Sequence, residues 1–285
     1  SRHLPAGRQA SSRGRPQALA RGTSAGAVER PALSSGMPRA LQQMEVSSHE
    51  LVIREVNEAL GLEVVVKYFT VPGEPLAVLA REVSLTNLSA TALDLEMLDG
   101  LPSANPYGVN EFFMKNMSHT IEAWMTVDNL TKKAPYFHLK VDATDRPEVI
   151  LIPEGNFYFG LLEERQGGRL LDPVVDPSKI FGSMLDFSQP KVFYQQTPFK
   201  APSRQLVEGK TPCAFSLASF PLPPGHSKKI RSFFGHARSI ELLNRYVARV
   251  KRPDYFEKKR LENKQLIDGI KSRTFTATAV AAYDL

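Results

Sequence analysis

The chain has 285 residues, of which 42% are hydrophobic and 23% charged, ordinary values for a soluble globular protein. That length builds one large domain or two average ones around a sizeable core, which excludes a peptide ligand or a disulfide-stapled miniprotein. No apolar run reaches the roughly 18 residues that cross a bilayer, and the single cysteine, Cys213, precludes an internal disulfide. A reducing cytoplasm is therefore the expected compartment, with no membrane partner.

The net charge of +6 is confined to one segment: residues 1 to 40 hold seven arginines against one acid, Glu29. That segment has no Lys, no aromatic residue and a Ser, Ala, Gly and Pro background unable to bury a core. Residues 1–43 are thus expected to be disordered. Three readings apply to them: a transit-like peptide, a nucleic-acid arm, or an artefact of how the gene model begins. The start at Ser1 without Met and the lack of amphipathic spacing favour the last.

From Glu45 the pattern turns to strands. Leu51 to Ile53 is a short β-branched run, and Leu62, Val64, Val66 and Tyr68 recur at the period of two that half-buries a strand. The runs Leu76 to Thr86 and Leu93 to Leu98 flank the polar connection Asn87-Leu88-Ser89-Ala90, so they read as consecutive antiparallel strands. Residues 99 to 110 are dense in turn formers. After them Val109, Phe112, Phe113, Met117, Ile121, Trp124 and Met125 fall on one helical stripe, with Trp124 as a core anchor.

Further strands are expected at Tyr136–Val141, Asn156–Leu162, Val192–Gln195, Cys213–Phe220 and Lys229–Phe234, joined by long proline-rich loops of the kind that carry binding. Ile240, Leu242, Leu243, Tyr246, Val247 and Val250 then form a helical stripe ended by Pro253. Asp254 and Glu257 read as a capping pair for a second helix to about Ile270. Residues 226 to 273 carry 14 basic and 5 acidic side chains, residues 41 to 225 carry 15 and 23. A basic helical strip docked on an acidic body explains this better than nucleic-acid binding, because RNA-type aromatic and glycine interleaving is missing.

Catalytic constellations are weak. The six histidines have no metal-ligand spacing and Cys213 has no partner Cys or nearby His. Gly209-Lys210-Thr211 lacks the upstream glycine of a phosphate loop, and no Gly-x-Ser-x-Gly is present. His119 and Glu122 at i,i+3 read as a surface pair. The carboxylates Asp94, Glu96 and Asp99, then Asp142, Asp145 and Glu148, then Glu163 and Glu164, read mostly as solubilising groups. The sequons at Asn87, Asn116 and Asn129 read as chance matches. No cofactor and no metal are expected.

One long collinear pattern stands out. It comprises Arg81-Glu82-Val83-Ser84-Leu85-Thr86-Asn87, Leu98-Asp99-Gly100-Leu101-Pro102, Pro106-Tyr107-Gly108-Val109-Asn110-Glu111-Phe112-Phe113-Met114-Lys115-Asn116-Met117-Ser118 and Ile121-Glu122-Ala123-Trp124. It continues through Arg146-Pro147-Glu148, Gly155-Asn156-Phe157-Tyr158-Phe159 and Tyr255-Phe256-Glu257-Lys258-Lys259-Arg260. Over residues 44 to 276 the chain resembles the N-terminal β-sandwich region of the family 94 glycoside phosphorylases, on their 1,2-β-oligoglucan and cellobiose phosphorylase-like side.

The resemblance implies a mainly β, antiparallel supersandwich of the galactose mutarotase-like kind, with an inserted helix and a C-terminal helical linker. The implied division is a 44–235 sandwich and a 236–285 linker toward an (α/α)6 barrel that this chain does not contain. In that family inorganic phosphate, a co-substrate, attacks the anomeric carbon with inversion while an Asp on the barrel protonates the leaving oxygen. No catalytic residue is therefore assigned here.

The implied role is a non-catalytic, carbohydrate-associated domain of an enzyme that cleaves β-glucan oligosaccharides to a sugar 1-phosphate. The barrel is its implied partner and a homodimer contact is admitted. A stand-alone carbohydrate-binding module is the alternative. Substrate-contacting candidates are Tyr107, Asn110 and Glu111 on the turn-rich loop, although Asn110 also reads as a helix cap. Aromatic-rich strands found upstream in the family have no counterpart in residues 1–40, which predicts an exposed sheet edge and a tendency to associate.

Overall fold

The computed structural model describes residues 17–23, 41–144, 147–183, 187–274 and 279. In chain order the strands are β1 (Gln17–Thr23), β2 (Leu41–Val46), β3 (Leu51–Asn57), β4 (Leu62–Thr70), β5 (Ala77–Asn87), β6 (Leu93–Leu101) and β7 (Met125–Asp128). They continue as β8 (Tyr136–Leu139), β9 (Gly155–Glu164), β10 (Gly167–Leu170), β11 (Asp172–Val174), β12 (Ala214–Leu222) and β13 (Ser227–Ala237). Helices are α1 (Glu111–Asn116), α2 (Ser178–Phe181), α3 (Lys191–Gln195), α4 (Ile240–Val250) and α5 (Tyr255–Lys271).

The fold is an antiparallel β-sandwich. One sheet runs β2-β3-β4-β5-β13-β9-β8-β7 with β10 paired to β9, the other β1-β6-β12-β11. Alternation along each strand sorts side chains into layers. Val83, Leu85 and Ile230 of the larger sheet meet Leu95, Met97, Ala218 and Phe220 of the smaller. On the other side of the larger sheet, Phe157, Phe159 and Phe233 pack under Leu243, Tyr246 and Phe256 of α4 and α5. The far side of the smaller sheet is covered by Ile180, Phe181 and Phe193 from α2 and α3. Each such buried Val, Leu, Ile, Phe or Met side chain contributes about 1.5–3 kcal/mol of transfer free energy.

The expected hairpin between β5 and β6 is not formed, because the two strands lie in different sheets. Asn87 is the physical reason. Its Nδ2 donates to the carbonyls of Thr91 at 2.7 Å and Leu222 at 2.8 Å, and its Oδ1 accepts from the Ser89 amide at 2.9 Å and hydroxyl at 2.7 Å. Its backbone is held at 2.9 Å by the Gly225 amide and donates to the His226 carbonyl at 3.1 Å. One fully buried side chain thus fixes both sheet-to-sheet crossings, β5 to β6 and β12 to β13.

Four other expectations are corrected. β6 runs on to Leu101 through the turn-forming Asp99-Gly100, since Gly100 at φ +151° lets the backbone approach the Ala214 carbonyl where a Cβ would collide. The helix expected from Val109 to Met125 breaks into α1, a 3₁₀ stretch over Ser118–Trp124 and β7. Phe113, Ile121 and Met125 still meet in one cluster, with Trp124 partly buried against them, while Phe112 is exposed. Val192–Gln195 is helical, not extended, because Pro190 starts a short turn that drives Phe193 into the core. Asp254 stands at the start of α5 but makes no side-chain cap, and Glu257 faces Arg260 at 3.6 Å instead.

Of the segment expected to be disordered, residues 1–16 and 24–40 lie outside the described residues. Gln17–Thr23 within it is a strand and Leu41–Gln43 opens β2, since pairing to the β6 and β3 edges satisfies backbone groups whatever the side chains are. Asp145 and Arg146 also lie outside the described residues.

The basic strip docks on the acidic body, as its charge suggests. Arg249 and Lys259 converge on Glu74 at 2.5 and 3.2 Å, and Arg260 grips Glu50 with two nitrogens at 2.6 and 2.8 Å. Ser239 caps α4 by accepting from the Leu242 amide at 3.2 Å.

Candidate functional site

Two clusters of polar and ionisable groups flank the same inter-sheet layer, and they differ in access. The inner one forms where strand alternation points Arg81 of β5, Asp99 of β6 and Ser232 of β13 into the sandwich. Arg81 pairs with Asp99, whose other carboxylate oxygen accepts from the Ser232 hydroxyl and whose carbonyl accepts from Tyr158. Arg81 Nε also donates to the Tyr68 hydroxyl at 3.0 Å. Asp99 is 0% and Arg81 2% exposed, so no solute reaches them. This pair locks the two sheets together.

The outer cluster sits at the end of the sandwich. The loop after β6 crosses the end of β8: Tyr107 donates its amide to the Phe137 carbonyl at 3.0 Å and accepts from the Leu139 amide at 2.8 Å. Gly108, at φ +96°, follows because a Cβ there would press on Ile152 and Leu139. With its backbone so fixed, the Tyr107 ring lies 4.6 Å from the His236 ring at 36°.

Glu154 immediately precedes β9, and His236 lies near the end of the adjacent β13, opposite Asn156. His236 Nε2 stands 3.3 Å from Glu154 Oε2. The nearby Glu154 carboxylate holds the Tyr107 phenol above its ordinary pKa. The Nδ1 of His236 is buried without a hydrogen-bond partner. Beneath them the Tyr136 hydroxyl faces the Pro153 and Ala237 carbonyls at 2.9 and 2.6 Å, and burial pushes its pKa up. Two residues further along β8, His138 bridges the Ile152 carbonyl at 3.0 Å and the Asp128 carboxylate at 2.8 Å.

Tyr107, Glu154 and His236 are all partly open, Tyr107 at 37% exposure. The arrangement offers an aromatic face beside an acceptor carboxylate and an imidazole, groups that bind hydroxyl-rich rings.

The other two predicted residues sit differently. Asn110 caps α1, its Oδ1 accepting from the Phe113 amide at 2.9 Å. Glu111 is on the outside of α1, paired to Lys115 at 2.6 Å. Glu154 and His236 escaped the sequence reading because β9 and β13 bring them together from far apart in the chain; the one local signal was the match at Gly155–Phe159, directly after Glu154.

The remaining candidates are engaged internally. His119 approaches Glu122 at 3.4 Å, but Glu122 also accepts from the Thr211 amide and hydroxyl at 3.0 and 2.6 Å. These bonds and His119 outweigh burial and lower its pKa. A cleft of about 240 Å³ beside α5 is lined by His49, Glu50, Tyr68, Thr70 and Asn263. Its polar groups are bonded to one another, to Arg260 and, at Tyr68, to Arg81, with Asn263 donating to the His49 carbonyl at 2.7 Å. Among the described residues no group of three or more His, Cys, Asp or Glu side chains is placed to hold a metal, and no helix is long and apolar enough to cross a membrane.

No protein-family model and no curated protein matches this sequence. Its backbone is similar to that of a solved structure described as "Putative kojibiose phosphorylase from human microbiome", at 7% identity and a TM-score of 0.32 over 80% of this chain. The match takes in 25% of that structure, so this chain spans about a quarter of its length.

Proposed function

We propose that this chain is a non-catalytic, carbohydrate-associated β-sandwich region of a glycoside phosphorylase acting on β-glucan oligosaccharides, and that it meets the glucan at Tyr107. In this reading phosphate and the general acid are bound by residues outside this chain. The sandwich and its docked helices form a rigid body that presents the Tyr107 loop to them. The collinear likeness over residues 44 to 276 supports the family. The observation that carries the contact is the half-open Tyr107 ring beside Glu154 and His236. Stacking on the ring and hydroxyl contacts to the carboxylate give a sugar its orientation. Asn110 acts in this scheme by holding α1 and Glu111 by pairing Lys115, rather than by touching sugar.

The second reading, a stand-alone binding module, is favoured by the exposed rings of Tyr107 and Phe112. Titration of the purified chain with β-1,2- and β-1,4-gluco-oligosaccharides, followed by calorimetry and by an assay for sugar 1-phosphate in phosphate buffer, separates the readings. The scaffold, whose Tyr107 contact holds sugar only together with the residues outside this chain, gives neither saturable binding nor product. Saturable binding abolished by Tyr107→Ala selects the module, and phosphate-dependent product release from the chain alone overturns both.

A further inference from the structure

We infer that Tyr136 is the positioning residue of the Tyr107–Glu154–His236 site: from below, its hydroxyl ties the main chain beside Glu154 to the main chain beside His236 and so sets the separation of the two side chains. This rests on the reading of those three groups as a site, and it concerns how they are held rather than what they bind.

The β9–β13 ladder ends where the site begins. Its last pair is Gly155 with Ala237, so His236 stands one pair inside the ladder and Glu154 one residue outside it. Pro153, next in line, has no amide hydrogen and cannot extend the ladder. Bonding between the two strands therefore fixes His236 but not the segment that carries Glu154. Side chains of β8 do that instead. The Tyr136 hydroxyl lies 2.9 Å from the Pro153 carbonyl and 2.6 Å from the Ala237 carbonyl, the groups directly before Glu154 and directly after His236. His138, on the same strand, holds the Ile152 carbonyl at 3.0 Å.

The ring makes the tie rigid. Tyr136 is fully buried and opposes Phe157 in the β8–β9 register. It lies so close against the Gly155 main chain that a Cβ there would collide with it, so glycine at 155 is what admits the ring. The hydroxyl has one proton for two carbonyls, and it serves both only while they stay this near each other. Burial raises the Tyr136 pKa, which keeps that proton in place while an open phenol ionises.

Ultraviolet titration of the full chain, taken as the difference from the matching Tyr107→Phe chain, reads the Tyr107 phenol, which the Glu154 carboxylate holds above its ordinary value. No sugar takes part, so a failure here leaves the binding reading standing, and a failure of sugar binding leaves this inference standing. Tyr136→Phe, which keeps the ring and removes the hydroxyl, should bring the Tyr107 phenol down toward its ordinary value as Glu154→Gln does, and combining the two should lower it no further. Tyr158→Phe is the control. It deletes another buried hydroxyl, one that donates to the Asp99 carbonyl, and should lower the melting temperature while leaving the Tyr107 titration as in wild type. Pro153→Gly, at an exposed position where folding is not at stake, keeps the carbonyl and should also leave that titration unchanged, because the tie and not the proline ring holds the segment. A Tyr136→Phe chain that melts lower yet titrates like wild type at Tyr107 overturns the inference. So does a fall of the Tyr107 phenol in Pro153→Gly, or one in Tyr158→Phe equal to that in Tyr136→Phe.

Discussion

The Arg81–Asp99 cluster and the Tyr107–Glu154–His236 cluster contain nearly the same chemistry, a carboxylate, a cationic or imidazole group and a tyrosine, yet their surroundings give them opposite uses. In the first every charge meets an opposite charge or a hydroxyl inside the sandwich. In the second the groups lie at the sheet ends and are partly open to solvent. Complete pairing in a dry layer makes a structural lock whose rupture is costly, whereas partial exposure at a rim leaves capacity for a ligand.

The contrast breaks most sharply at Asp99. Asp99→Ala strands the buried Arg81 guanidinium and should cost about 3–5 kcal/mol in chemical denaturation; a loss under about 1 kcal/mol would mean that the lock is dispensable. Asn87→Ala comes next. It removes four side-chain hydrogen bonds at the two sheet crossings, and an expected loss of about 2–4 kcal/mol follows from the buried carbonyls and amide left unpaired. The same denaturation series reads it.

Acid separates the docked helices from the inner lock more gently. The hydrogen bond from Arg260 holds the Glu50 carboxyl below its ordinary pKa, against the opposing pull of burial. A group depressed in the folded state contributes stability that is complete above its unfolded pKa of roughly 4.3 and is lost as pH falls through the folded value. Wild type should therefore lose stability more steeply than Glu50→Gln below about pH 4, with the curves parallel above pH 6, measured as melting temperature against pH. The smallest effect belongs to the open cluster. Glu154→Gln should change stability by no more than about 0.5 kcal/mol, yet bring the Tyr107 phenol down toward its ordinary value in an ultraviolet titration, since Glu154 is what raises it.

How far the sequence disclosed this architecture follows from how local each signal is. Alternation at Leu62–Tyr68 and the helical stripe of α4 are written in adjacent residues, and both appear where expected. The basic strip was legible as charge, and its docking partners Glu50 and Glu74 lie in the acidic body. Sheet membership was not legible: the polar turn after Asn87 looks like a hairpin, and only the bonds of Asn87 to Leu222, 135 residues away, reveal a crossing between sheets. Val192–Gln195 failed for a different reason, because a short apolar run suits a buried strand or a buried helical turn equally. At the candidate site the loop residue Tyr107 could be found from its turn-rich setting. Glu154 and His236 could not, since their meeting depends on the pairing of β9 with β13.

Two double-mutant cycles in one denaturation experiment, Arg81→Met with Asp99→Leu and His236→Gln with Glu154→Gln, test the division between lock and rim most directly. The buried pair should show a coupling of several kcal/mol, with the apolar double variant recovering much of what each single loses, and the rim pair a coupling below about 0.5 kcal/mol. Equal couplings, or a larger one at the rim, would contradict the assignment of the inner cluster to structure and the outer one to binding.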